Sequence, residues 1–183
     1  MRRLALLFVL ATGTASADPP PPSEGWIAGA MIGIDHAEDK TDTQPLTGTG
    51  PVLEIEGGRW LNHWLAGTLF VAFSTIGTDT QFQLSDGSYD HLRQYDVAFG
   101  VRLLLRVSET FSFGPAVGSV YDDQHFTGLQ TSSTSRFYEL DLALTPAYFG
   151  HRSLELDFRA GLAPFYAGTY PMDYLILGVG AKL

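Results

Sequence analysis

Arg93-Gln94-Tyr95-Asp96-Val97-Ala98-Phe99-Gly100-Val101-Arg102-Leu103-Leu104-Leu105-Arg106-Val107 alternates with a period of two almost without interruption. Tyr95, Val97, Phe99, Val101, Leu103, Leu105 and Val107 fall on one face of an extended chain, and Gln94, Asp96, Ala98, Gly100, Arg102 and Arg106 on the other. Strands in soluble domains are typically about five or six residues long, whereas a strand crossing a bilayer at a tilt needs about 9–11. The stretch therefore predicts one stave of a membrane-spanning β-barrel.

Working outward, the N-terminus reads as an address. Arg2 and Arg3 precede the apolar run Leu4 to Ala11, and Ala15-Ser16-Ala17 is the small-residue pattern that a signal peptidase cleaves. The apolar run is far below the ~20 residues of a helical span, so residues 1–17 are expected to be a cleaved signal peptide. Residues 18–25, with four consecutive prolines, read as an extended linker. Residues 26–183 then form one domain. The formal charge of -9 includes Arg2 and Arg3, and residues 1–17 hold no acid, so cleavage leaves -11. That acidity, without a basic cluster, excludes nucleic acid as a natural partner. The chain has no cysteine, so an exported protein of this size stabilises itself without disulfides or zinc thiolates.

Seven further stretches share the alternation. Trp26 to Ile34 places Trp26, Ala28, Ala30, Ile32 and Ile34 opposite Gly29 and Gly33, and Pro51 to Trp60 sets Leu53 and Ile55 against Glu54 and Glu56. Trp64 to Thr75 follows the tight turn Leu61-Asn62-His63. Thr110 to Tyr121, Arg136 to Phe149, Ser153 to Tyr166 and a last strand to Leu183 complete eight with the opening stretch. Polar stretches Asp35 to Gly50, Ile76 to Asp90 and Asp122 to Ser135 read as long loops, alternating with short turns. Gly57-Gly58 predicts a bulge in the second strand. The sum is an all-β, eight-stranded antiparallel up-and-down transmembrane barrel, with long external loops, short periplasmic turns and both termini periplasmic. Closure leaves no edge, as lipid demands.

Alternation alone does not say which face is outside. The less apolar face is rich in Ala98, Gly100, Gly114, Ala116, Gly118, Gly161, Gly178 and Gly180, small residues suited to the narrow interior of eight strands. Trp26, Trp60, Trp64, Phe111, Tyr148 and Phe149 cluster near the turn ends of the strands, and Phe73, Tyr95, Tyr121, Tyr138 and Tyr166 near the opposite ends. Two aromatic girdles are expected at two membrane interfaces. A soluble lipocalin-like barrel, apolar face inward around an apolar ligand, is the alternative.

Across about residues 25–183 the chain resembles the OmpA/OmpX-like group of small eight-stranded outer-membrane barrels of Gram-negative bacteria. The resemblance rests on the eight amphipathic strands, the signal peptide and the closing segment Tyr174-Leu175-Ile176-Leu177-Gly178-Val179-Gly180-Ala181-Lys182-Leu183. In that group the last strand is a signal for the barrel-assembly machinery, which implies outward roles for Leu175, Leu177, Val179, Ala181 and Leu183; the usual final residue is Phe, and here it is Leu183. The resemblance implies outer-membrane localisation, with membrane lipid and the assembly machinery as partners.

The inward face gathers Glu54, Glu56, Asp96, Arg102, Arg106, Glu139, Asp141, Glu155, Asp157, Arg159 and Lys182. Buried charges must pair, so these predict a structural ion-pair network in the lumen; the alternative is a narrow pore for small solutes. His151, Ser153 and Glu155 invite comparison with outer-membrane lipid A deacylases, but they fall at a predicted periplasmic turn, and no catalytic set is assigned. The loop carboxylates lack calcium-loop spacing, and His36, His63, His91 and His125 lack zinc spacing. No metal site or cofactor is expected. The function expected is a non-enzymatic structural or surface-interaction role.

Overall fold

The computed structural model describes residues 25–39, 46–83, 87, 89–126, 129–149, 152–163 and 172–182. The expected signal peptide and most of the linker lie outside them, as do His151, Tyr166 and Leu183.

Eight strands occur in the order β1 (Trp26–Asp39), β2 (Leu46–Trp60), β3 (Leu65–Gln83), β4 (Tyr89–Ser108), β5 (Phe111–Phe126), β6 (Leu129–Phe149), β7 (Arg152–Ala163) and β8 (Met172–Lys182). Each pairs antiparallel with its chain neighbours, and β1 pairs with β8, Gly29 opposite Lys182, to close the barrel. The backbone ladder has no free edge along the seam, the condition that closure satisfies in lipid.

The strands outrun the apolar alternation at one end of the barrel. Asp35 pairs with Gly50 and Asp39 with Leu46, so most of the expected first loop is a hairpin ladder. Asp122 pairs with Ser133 and Phe126 with Leu129, so the described part of the expected third loop is also strand. The second is strand up to Gln83, with one irregularity between Gly77 and Gln81. These segments are rich in Thr, Ser and Asp. Once the outer face turns polar, the apolar alternation ends while the backbone ladder continues, and Thr favours a pleated strand.

At the other end the connections are tight. Asn62 Oδ1 accepts from the backbone N–H groups of Trp64 and Leu65, both at 2.9 Å, a side chain closing its own turn. The expected bulge at Gly57-Gly58 is absent: β2 keeps an unbroken register there against both β1 and β3.

The two faces are inverted relative to a water-soluble barrel. Ile32, Ile55, Leu69, Phe99, Val101, Leu140, Leu177 and Val179 are exposed on the outer wall, Leu69 by 66%. Arg102, Glu54, Asp122 and Asp141 are the largest fully buried side chains. The lipocalin-like alternative, which needs the apolar face inside, does not hold for this architecture. Inner apolar groups are confined to small clusters, among them Phe70, Phe137, Ala116 and Val120. A Cβ on Gly118 would lie 2.6 Å from the Phe137 ring, so glycine at this position makes room for an aromatic plug residue.

Candidate functional site: the charged lumen and the outer hairpins

Strand parity on β4 aims Arg102 inward, between Thr68 of β3 and Ala116 of β5, whose small side chains leave space for a guanidinium. Its charge centre lies 4.4 Å from the centroid of the Phe70 ring. Arg102 Nη1 donates to Glu54 Oε1 at 3.0 Å and to Glu56 Oε2 at 3.2 Å. Its Nη2 donates to Glu54 Oε2 and Glu139 Oε1, both at 3.2 Å, and Nε lies 2.9 Å from Asp141 Oδ2. One cation thus gathers four carboxylates from β2 and β6.

Arg159, on β7 opposite Asp141 in the β6 ladder, grips the same Glu54 from the other side. Its Nη2 donates to Glu54 Oε1 at 3.0 Å and its Nη1 to Glu54 Oε2. Lys182 of β8 lies 3.0 Å from Glu56 Oε1 and 2.6 Å from Glu155 Oε2. Tyr174 donates to Glu139 Oε2 at 3.1 Å. The planar fork of arginine matches a carboxylate two bonds at a time, and Glu54 is held from two sides. The result is a cross-barrel plug tying β2, β4, β6, β7 and β8 together. Asp157 is buried in the same lumen wall.

Three expected placements change. Arg106 lies four residues nearer the turn end than Arg102, with its guanidinium 3.8 Å from the centroid of the Trp60 ring. Trp60 packs on the inner cluster of Ile27, Ala66 and Leu104 and leaves the outer girdle. With no bulge at Gly57-Gly58, Trp60 keeps the inward parity of Glu54 and Glu56, and Arg106 covers it. Asp96 stands apart from the plug: it accepts from Gln94 Nε2 at 2.9 Å and from Ser74 Oγ at 3.3 Å. The remaining girdle residues Trp26, Trp64, Tyr95, Tyr121 and Tyr138 are exposed on the outer wall, and Phe111 is half-buried and stacked on Phe113. The side chain of Tyr148 lies outside the description. On β8, Leu177, Val179 and Ala181 are exposed and Leu175 is half-buried.

Asp35, Asp122 and Tyr174 are lumen residues that sequence reasoning did not place there. Apolar alternation stops before Asp35 and Asp122, so the sequence pattern reads both as loop residues. Extending the parity of Gly29 and Gly33 by one step reaches Asp35, and extending that of Gly114, Ala116 and Gly118 by two steps, through Val120, reaches Asp122.

Beyond Tyr95, Tyr121 and Tyr138, the hairpins carry their own polar contacts. His36 Nδ1 and Thr49 Oγ1 are 2.8 Å apart. Asp123 accepts from Gln130 Nε2 at 3.0 Å and lies 3.0 Å from His125 Nε2, and Tyr95 meets the His125 ring edge-on at 5.4 Å. The Gln130 amide, followed by His125, holds the Asp123 carboxyl below its ordinary value of 3.8. Among the described residues no group of His, Asp and Glu is arranged to hold a metal ion.

No protein-family model matches the sequence, and no curated protein does. Solved structures do match. Ail, the attachment invasion locus protein of Yersinia pestis, in complex with the heparin analogue sucrose octasulfate, superposes with TM-score 0.61 at 14% identity over 86% of this chain and 99% of that one. The fold is that of the small eight-stranded outer-membrane barrels. Neisserial surface protein A gives TM-score 0.59 at 13% identity, covering 86% of this chain and 96% of that one. The backbone structure of Ail in a phospholipid bilayer nanodisc gives 0.51 at 15%, over 87% and 100%. At such identities the likeness is one of architecture.

Proposed function

We propose that this protein is an integral outer-membrane barrel whose charged interior is a structural plug and whose hairpins act at the cell surface. The inversion of polarity carries the proposal: large apolar side chains cover the exterior while Arg102, Glu54 and Asp141 are sealed inside. Contiguous apolar surface of this extent is stable only when covered, and a bilayer covers all sides of a barrel at once. Lipid and, during biogenesis, the barrel-assembly machinery reading β8 are the partners on this view. The plug supports a structural role for the lumen over a solute pore, because eight strands leave room only for filling side chains. Glu155 is engaged by Lys182, which argues against its service as a catalytic acid beside Ser153.

The surface partner differs in kind from a sulfated polyanion. The sequence of the first three outer hairpins holds Glu38, Asp39, Asp42, Asp79, Asp86, Asp90 and Asp123 against Lys40, Arg93 and Arg136, a field that repels polyanions.

The cysteine-free chain permits a direct test of placement and orientation. Ser132→Cys on the β5–β6 hairpin is expected to react with a membrane-impermeant maleimide in intact cells, and His63→Cys at the β2–β3 turn only after the outer membrane is breached. Equal labelling of both in intact cells, or recovery of the protein in the aqueous fraction without detergent, refutes the proposal.

A further inference from the structure

On the hairpin side of the plug one row of side chains crosses four strands. Ser74 of β3 stands opposite Asp96 of β4, Asp96 opposite Asp122 of β5, and Asp122 opposite Ser133 of β6. Asp35 of β1 joins the row within hydrogen-bonding reach of Ser74. Asp35, Asp96 and Asp122 are each at most 6% exposed. Like charges directly opposite one another destabilise a ladder, and a buried carboxylate that stays ionised needs donors or a counter-ion. The lumen ion pairs among the described residues engage other acids: Arg102, Arg159 and Lys182 are taken by Glu54, Glu56, Glu139, Asp141 and Glu155.

Donors are shared unequally among the three acids. Asp96 accepts at both oxygens, from Gln94 Nε2 at 2.9 Å and from Ser74 Oγ at 3.3 Å, and Gln94 is itself oriented by Gln124, which donates to Gln94 Oε1 at 3.2 Å. Asp122 accepts from Ser133 at Oδ2, at 3.2 Å. Its Oδ1 is buried and receives no donor, although the carboxyl group lies within hydrogen-bonding reach of Asp96. Asp35 Oδ1 is likewise buried and receives no donor. Two ionised carboxylates are acceptors only, so a hydrogen bond between them requires a proton on one. A serine hydroxyl has one proton to give. Ser74 gives it to Asp96, so its contact with Asp35 is a hydrogen bond only if Asp35 is the donor.

We propose that Asp35 and Asp122 are protonated at neutral pH and form, with Ser74 and Asp96, a proton-held lock at the outer end of the lumen. In it Asp122 donates to Asp96, Asp35 donates to Ser74, and the Ser74 hydroxyl donates to Asp96. Asp96 alone keeps its charge, solvated by Gln94, Ser74 and Asp122, and the bonds tie β1, β3, β4 and β5 together at the base of the surface hairpins. Glu54 of β2, Glu139 of β6 and Tyr174 of β8 face the same space from the plug side. The two glutamates are held by Arg102 and Arg159, and Tyr174 donates to Glu139, so none of them brings a positive charge to the row. Folded, the lock holds protons that the unfolded chain has released. Its contribution to stability is therefore fully present below the ordinary aspartate range and falls as pH rises, until both acids ionise within the fold.

Urea-unfolding titrations of the full barrel from lipid vesicles, run between about pH 5 and about pH 8, test the lock. They compare wild type with Asp122→Asn and with Asp35→Asn, in which an amide N–H takes the place of the acid's proton. The ratio of the wild-type unfolding constant to that of each variant is expected to rise with pH, by up to about tenfold per pH unit. Parallel pH profiles for wild type and both variants overturn the proposal. A ratio that stays flat for one variant removes the proton from that residue and overturns the two-proton lock. If a variant does not fold, the assigned carboxyl-carbon NMR signals of the wild type decide: acid-form signals for Asp35 and Asp122 at neutral pH support the lock, and a carboxylate signal at either overturns it.

Discussion

Arg102 concentrates the energetics of the interior in one side chain. It is 1% exposed and touches Glu54, Glu56, Glu139 and Asp141. Removing one member of a buried ionic set leaves its partners charged and unpaired, at about 3–5 kcal/mol. Arg102→Ala is therefore expected to lower stability by that amount in urea-unfolding titrations from lipid vesicles, and Arg102→Lys by less, since one ammonium replaces part of the fork. A loss below about 1 kcal/mol for Arg102→Ala, the range of surface pairs, contradicts the plug. Asp123 shows a different regime, a half-buried carboxylate on a hairpin. Its folded-state pKa is depressed, so its contribution is present above the unfolded value of 3.8 and is lost as pH falls through the lower folded value. An NMR titration of its carboxyl carbon is expected to inflect below 3.8, and Gln130→Ala to move the inflection upward; an inflection at or above 3.8 in the parent protein contradicts the contact.

At the scale of the strand, parity is the governing device. Val101 is outward on β4 and 48% exposed, while its neighbour Arg102 is sealed inside. Arginine facing lipid near the bilayer midplane costs about 2–4 kcal/mol, falling to about 0–1 near the interfaces. Val101→Arg is expected to destabilise the vesicle-folded barrel by the larger amount and Ser132→Arg on the hairpin by the smaller, read as shifts in urea midpoint. Equal small losses place Val101 in water. Parity also explains what was legible in the sequence. Where one face was apolar, as from Tyr95 to Val107, the register could be read residue by residue. Where the outer face turns polar and the inner face is polar too, as from Asp122 to Ser135, the ladder continues without an apolar signal although Asp122 and Ser135 are buried, and periodicity alone reads Asp122 as a loop residue. The misplacement of Trp60 has a related origin: Gly57-Gly58 can mark a bulge, and nothing local excludes it. Pairing to both β1 and β3 holds that segment regular.

For the whole molecule, closure turns eight marginal strands into one unit. The β1–β8 seam runs from Gly29–Lys182 to Asp39–Met172, so the first and last described strands depend on each other and no disulfide is needed. Closure also decides which charges meet. Glu54, Arg102, Glu139 and Arg159 come from β2, β4, β6 and β7, and they converge only because the wall curls round on itself. By itself the sequence determined the strand number, the alternating faces and the inward charges of the apolar-patterned segments, because these follow from the two-residue period of an extended chain. The tertiary structure alone decided the partners: that Glu54 is shared by two arginines, that Arg106 covers Trp60, and that Asp96 and Asp122 face one another across the β4–β5 ladder. A strand's period says which way a side chain points, but only the closed barrel says what lies across the lumen from it.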